Sequence, residues 1–175
     1  MEIFCGQWID IKMTEPLQNS EPVLNAHNKA EFPPAHTAEH LLNQTMVRMF
    51  GCKRSDNAHI ERKKSKINYD LAVCPTPEQI AEIEATMNRL IADNLRVTYE
   101  FVTRDNIPEG VSLSKLPDNA TETLRIVRIG DYDVCACVGA HVANTSEIVS
   151  FRITSTSFND GVFRIVYKVG APSQQ

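Results

Sequence analysis

The sequence predicts one α+β domain in which two helices pack on an antiparallel sheet. Two stretches carry apolar residues at helical spacing, and four or five strand-like stretches follow the second of them. The 175 residues, 42% hydrophobic and 23% charged, suffice for one hydrophobic core but not for two. We therefore expect the domain to cover residues 31–175. Residues 1–30 are expected to form an irregular N-terminal segment of the same domain.

Both predicted helices have recognisable ends. In residues 35–50, leucine, threonine and methionine recur at helical spacing after a Pro-Pro pair, and Gly51 ends the pattern. The second helix is predicted over residues 77–94, with Thr76 as its N-cap and a proline in the first helical position. Each helix carries an apolar stripe, which is typical of a helix that packs against a sheet.

Short stretches of alternating apolar and polar residues predict the strands. They cover residues 66–73, 95–103, 124–129, 132–136, 147–157 and 162–169. The last two are expected to pair as a hairpin, because the Asn-Asp-Gly sequence at 159–161 is a strong turn signal. Residues 108–119 are expected to form a loop.

Composition argues against several classes of protein. No apolar run approaches the roughly 18 to 20 residues that a bilayer span needs, so we expect no membrane segment. Residues 1–10 lack the order of charge and hydrophobicity that marks a signal peptide. The five scattered cysteines are an odd number, which favours a reducing compartment. A cytoplasmic protein is expected, and no pattern indicates its oligomeric state.

Positive charge is concentrated in one stretch of an acidic chain. The net charge of −4 argues against indiscriminate coating of nucleic acid. Residues 52–66 carry only Asp56 and Glu61 against six cations, which are Lys53, Arg54, Arg62, Lys63, Lys64 and Lys66. Such a stretch is either a contact for one phosphate backbone or a solvated strand edge.

Histidine spacing predicts a metal site. His36 and His40 lie four residues apart on the first helix, so their imidazoles lie one turn apart on one face. Cys137 and His141 show the same spacing just after a predicted strand. Three imidazoles and one thiolate suit Zn²⁺ in a tetrahedral field. Four protein ligands are typical of a structural zinc site, whereas a catalytic zinc usually keeps one position open.

Two motifs resemble the editing domain shared by alanyl- and threonyl-tRNA synthetases, which freestanding alanyl-tRNA editing proteins carry alone. They are His-Thr-Ala-Glu-His-Leu-Leu at 36–42 and Cys-Val-Gly-Ala-His-Val at 137–142, the latter followed by Asn-Thr-Ser-Glu-Ile at 144–148. The likeness extends over residues 33–169, which is most of the chain.

The resemblance implies an α+β editing-domain fold and a zinc-dependent hydrolase. Such an enzyme cleaves the ester of a mischarged tRNA without ATP, here Ser-tRNA(Ala) or Gly-tRNA(Ala). Thr37 would lie beside the aminoacyl group and sense a serine hydroxyl. By this resemblance, the zinc ligands would be His36, His40, Cys137 and His141. It assigns contacts with the phosphates of the tRNA acceptor end to Lys63, Lys64 and Lys66.

Several alternatives remain. The alanyl form usually reads Cys-Gly-Gly-Thr-His, whereas Val138 and Ala140 replace glycine and threonine here. The amino acid removed is therefore open, including serine from tRNA(Thr), and a non-catalytic zinc-bearing domain that binds tRNA or protein is the main alternative. His-Thr-Ala-Glu-His also matches the HxxEH of inverted metallopeptidases, with Glu39 as general base. S-ribosylhomocysteine lyase carries a similar His-Thr-x-Glu-His helix.

Overall fold

The computed structural model describes residues 32–113 and 122–170. The α+β prediction is confirmed, while the predicted segment 1–30 and part of the predicted loop 108–119 lie outside the described residues. The helices and strands are α1 (Pro33–Phe50), β1 (Ala58–His59), β2 (Ser65–Asp70), α2 (Pro77–Ala92), β3 (Val97–Thr103), β4 (Thr123–Ile129), β5 (Asp133–Ala136), β6 (Phe151–Asn159) and β7 (Val162–Val169). Among the described residues, none of the helices has the length and apolar content to cross a bilayer.

The described strands form two antiparallel sheets instead of the single sheet expected. The larger sheet has the order β1-β2-β7-β6, and the smaller has the order β3-β4-β5. β2 pairs with the distant β7, so that Ile67 lies opposite Ile165. The alternation of apolar and polar residues within a strand does not identify the strand that pairs with it. The division into two sheets was therefore not predicted. The strand predicted over 66–73 ends at Asp70, because its partner Val162 is the first residue of β7.

The predicted hairpin is present as β6 and β7. Its turn residues Asp160 and Gly161 have φ values of 48° and 79°, the left-handed region that an Asp-Gly turn favours. The first strand, predicted over 147–157, begins only at Phe151. A short 3-10 helix precedes it, and Val149 has a φ of 65°, which an extended strand does not allow.

Helix α1 lies between the two sheets and positions the first half of the site. It contacts β5 of the smaller sheet, β7 of the larger sheet and α2. Gly51 ends it with a φ of 64° and donates its N–H to Val47 O at 2.9 Å. Thr37, Glu39 and His40 on this helix are fully buried, so each requires hydrogen-bond partners inside the protein.

A capping box at Thr76 begins α2, as the sequence predicts. The Thr76 hydroxyl accepts a hydrogen bond from Gln79 N at 3.3 Å, and Gln79 Oε1 accepts one from Thr76 N at 2.9 Å. We expect Thr76→Ala to lower the free energy of unfolding by about 1 kcal/mol, measured by urea denaturation. Thr76→Ser should retain the stability of the parent. A Thr76→Ala variant as stable as the parent would contradict a stabilising role for the box.

Candidate metal centre

The four side chains predicted to bind zinc lie together at the N-terminal end of α1. Their candidate donor atoms all lie within 4.8 Å of one another. The ring centroids of His36 and His141 are 4.3 Å apart, and those of His40 and His141 are 4.5 Å apart. Cys137 Sγ lies 3.5 Å from His36 Nε2. His40 and Cys137 are buried, whereas His36 and His141 are half-buried, so the cluster lies at the edge of the core and its surface side is formed by His36 and His141.

The loop from Cys137 to His141 is held by Arg125 of β4. Cys137 donates its N–H to Arg125 O at 3.0 Å, so pairing with β4 continues one residue past the end of β5. Arg125 Nε donates to Cys137 O at 2.8 Å, and its guanidinium also donates to Gly139 O. One side chain thus fixes the backbone that presents the second pair of predicted ligands. The sequence analysis did not identify this role.

Hydrogen bonds outside the cluster determine which imidazole nitrogens face it. His36 Nδ1 lies 3.1 Å from Ala140 O, and His40 Nδ1 lies 3.2 Å from Asp133 Oδ2. A carbonyl and a carboxylate only accept, so both Nδ1 atoms carry the proton and both Nε2 lone pairs remain for a metal. His141 Nδ1 lies 3.1 Å from the Thr37 hydroxyl, a group that can donate or accept, and this contact leaves Nε2 as the nitrogen on the side of the cluster. Three Nε2 atoms and one thiolate are a donor set that fits Zn²⁺.

Behind His40 lies a buried ion pair that the sequence analysis missed. Asp133 Oδ1 and Oδ2 accept hydrogen bonds from the Arg54 guanidinium at 2.5 and 3.2 Å, and Oδ2 also accepts from His40. Burial is the largest single influence and lowers the pKa of Arg54, but Asp133, with smaller contributions from Cys135 and Glu39, outweighs it, so that the pKa is raised. The sequence did contain a signal for a buried acidic group, because Asp133 begins β5, whose other residues are small and apolar.

Thr37 contacts a predicted ligand. Its hydroxyl lies 3.1 Å from His141 Nδ1 and accepts a hydrogen bond from Val142 N at 3.2 Å. The side chain is fully buried. Orientation of His141 is therefore the role that its contacts support, and a contact with an aminoacyl group stays a prediction.

The three predicted tRNA-binding lysines lie on and just before β2. Lys63 and Lys64 are exposed on the turn that precedes it, and Lys66 is exposed on the strand. The same turn approaches the start of α1, because the Arg62 guanidinium lies 4.4 Å from the centroid of the Phe32 ring. Lys63 and Lys64 thus neighbour the end of the helix that carries His36.

Glu39 faces away from the cluster. It is fully buried, and its Oε1 accepts a hydrogen bond from Asn43 Nδ2 at 2.6 Å. Burial first, and then the charge of Glu39, raise the pKa of both Tyr69 and Tyr167, which places Glu39 against the larger sheet. The general base of an HxxEH peptidase faces its metal, so the metallopeptidase alternative does not fit this geometry.

Comparison with known proteins identifies relatives of this domain. Residues 124–166, which include Cys137 and His141, match the family model described as the threonyl and alanyl tRNA synthetase second additional domain. Alanine–tRNA ligases match a larger part of the chain. The protein from Methanococcus maripaludis is 28% identical over 154 residues, and the match covers 86% of this chain and 17% of that ligase.

Two further alanine–tRNA ligases show higher identity over a shorter match. That of Ligilactobacillus salivarius is 31% identical over 141 residues, covering 79% of this chain and 16% of the ligase. That of Hyperthermus butylicus is 35% identical over 141 residues, and the match covers 78% of this chain and 15% of that ligase. The chain thus spans about a sixth of the length of these curated relatives. It is therefore related to the alanyl-tRNA synthetases and carries the second additional domain that they share with the threonyl enzymes.

Proposed function

We propose that this protein is a zinc-dependent hydrolase that deacylates mischarged tRNA in trans, with Ser-tRNA(Ala) or Gly-tRNA(Ala) as its substrate. One observation carries the proposal: the three imidazoles and the thiolate lie within 4.8 Å of one another in a domain related to alanyl-tRNA synthetases. In this proposal an aminoacyl ester approaches the cluster from the side of the half-buried His36 and His141. Because the substrate is charged tRNA, we also infer a cytoplasmic location.

Each part of the site has a separate task in this proposal. Zinc, when bound, supplies Lewis acidity that polarises a carbonyl or a water molecule. The chain fixes the geometry, since Asp133 and Thr37 orient two imidazoles and Arg125 holds the loop that carries Cys137. Water adds to the ester carbonyl, the ribose oxygen leaves and takes a proton, and the products are free amino acid and tRNA. This hydrolysis consumes no ATP.

Binding of the tRNA acceptor end is assigned to the basic turn before β2. Lys63 and Lys64 are exposed there, and the contact between Arg62 and Phe32 keeps the turn near α1. Lys66, on the exposed side of β2, extends the same positive region. Ammonium groups at these positions provide sequence-independent attraction for phosphates, which orients a tRNA whose ester lies at the cluster.

The second candidate is a zinc-bearing domain that binds tRNA or protein without hydrolysis. The four donors favour it, because four protein ligands complete the tetrahedron of a structural zinc site. Val138 and Ala140 replace the glycine and threonine that are usual in the alanyl form, and Ala140 is exposed beside His141. These two residues are the first positions to test if the preferred amino acid differs from serine or glycine.

The experiment compares four substrates at measured zinc content. Purified protein is incubated with Ser-tRNA(Ala), Gly-tRNA(Ala), Ser-tRNA(Thr) and Ala-tRNA(Ala), beside a His36→Ala/His40→Ala double variant. We expect rapid loss of Ser-tRNA(Ala) or Gly-tRNA(Ala), while Ala-tRNA(Ala) and all reactions of the variant decay at the rate without enzyme. Decay of all four at that background rate, with one zinc per chain, would exclude the hydrolase and leave the binding domain. Loss of Ser-tRNA(Thr) alone would retain the hydrolase and correct its substrate.

A further inference from the structure

Two large aromatic side chains are exposed on β3, an edge strand of the smaller sheet. Tyr99 is 45% exposed and Phe101 is 38% exposed. They lie two residues apart on the strand and therefore project from the same side of the sheet. An exposed aromatic pair on one face is unusual for a surface without a partner, because burial of each ring is strongly favourable.

The register places these rings on the side of the sheet that carries the metal cluster. Tyr99 lies opposite Val127, which is fully buried in the same core cluster as Cys137. The opposite side of the sheet carries Leu124 and Ile126, which belong to a separate small cluster. Tyr99 and Phe101 thus share a face with the predicted metal ligands.

Phe101, Arg125 and Cys137 form one row across the three strands. Phe101 is paired with Arg125, whose carbonyl accepts the N–H of Cys137. Two inter-strand spacings separate the ends of this row, so Phe101 lies about 10 Å from Cys137 along the sheet. The Arg125 guanidinium lies 4.8 Å from the centroid of the Tyr99 ring.

We propose that Tyr99, Phe101 and Arg125 form a stacking surface for the unpaired nucleobase at the 3′ end of the tRNA substrate. Aromatic rings and the guanidinium plane are the groups on which proteins stack unpaired bases. The aminoacyl ester and the terminal base belong to the same nucleoside, separated by one ribose. A carbonyl at the metal cluster therefore brings the base to a neighbouring position on this face.

The inference rests on the proposed function for its substrate but has its own readout. The probe is an uncharged 5′-fluorescein-labelled RNA tetranucleotide of sequence ACCA, whose binding to the zinc-loaded protein is measured by fluorescence anisotropy. Tyr99→Ala and Phe101→Ala should each weaken binding roughly 5- to 150-fold, the effect of about 1–3 kcal/mol per stacked base. The conservative variants Tyr99→Phe and Phe101→Tyr should retain most of the affinity, and so should Val73→Ala, an exposed apolar position elsewhere.

The outcomes separate this surface from the hydrolase itself. Equal binding by the alanine variants and the parent would overturn the stacking surface, even if the parent deacylates tRNA. Loss of binding in Tyr99→Phe as large as in Tyr99→Ala would also overturn it, because a hydroxyl contact would then carry the effect. Weaker binding in the alanine variants only, at unchanged zinc content and circular dichroism, would support the surface whether or not the parent hydrolyses esters.

Discussion

Replacing His40 by alanine is expected to weaken zinc binding by two to three orders of magnitude. A complete structural zinc site contributes on the order of 10–16 kcal/mol, so one of four ligands accounts for about 3 kcal/mol. His40 is fully buried between the cluster and Asp133, and solvent cannot readily replace it as a ligand. Competition with a chromophoric chelator measures the dissociation constant. Deacylation of mischarged tRNA should fall to the rate without enzyme at zinc concentrations that saturate the parent.

The matched control for this prediction is His59→Ala. His59 lies on β1, its side chain is 48% exposed, and its Nε2 lies 2.6 Å from Glu61 Oε1. It is outside the cluster, so zinc affinity and deacylation should match the parent. If His40→Ala bound zinc as tightly as His59→Ala, the assignment of His40 as a ligand would be wrong.

Removing Asp133 is expected to have the second-largest effect, on both metal affinity and stability. In Asp133→Asn, the carboxylate that orients His40 is lost and Arg54 loses its buried partner. Outer hydrogen-bond partners of metal ligands typically account for 10- to 100-fold in affinity, and we expect that loss here. Breaking a buried ion pair should lower the free energy of unfolding by about 3–5 kcal/mol. Chelator competition and urea denaturation measure the two effects.

A double variant distinguishes orientation of His40 from general destabilisation. Arg54→Met/Asp133→Leu removes both buried charges, so part of the lost stability should return relative to Asp133→Leu alone. Zinc affinity should stay low, because His40 still lacks its carboxylate partner. Recovery of zinc affinity together with stability would show that Asp133 acts through the fold and not through His40. Arg128→Met is the control, because its pair with Glu100 is about two-fifths exposed and contributes little.

Local sequence signals identified the elements that carry the site. The Pro-Pro pair and Gly51 bounded α1, Thr76 marked the start of α2, and the Asp-Gly turn located the last hairpin. Each of these signals depends on residues close together in the chain. Strand pairing depends on which distant strands bury their apolar faces together, so the separation into two sheets was not visible in the alternation patterns.

The residues around the cluster were harder to predict than the cluster itself. His36, His40, Cys137 and His141 have a spacing that brings each pair together locally, and the structure brings the two pairs together. Asp133 and Arg54 have no such spacing, because their contact joins β5 to the loop between α1 and β1. Tyr99 and Phe101 appear in the sequence as ordinary strand residues, and only the register shows that they share a face with Cys137.

X-ray absorption spectroscopy at the zinc edge tests the central claim most directly. The protein is expressed with zinc, its metal content is quantified, and the coordination shell is fitted. The account predicts three nitrogen neighbours at about 2.0–2.1 Å and one sulfur neighbour at about 2.3 Å, with the sulfur lost in Cys137→Ala. A shell without sulfur in the parent protein, or protein that retains no zinc, would contradict the proposed centre.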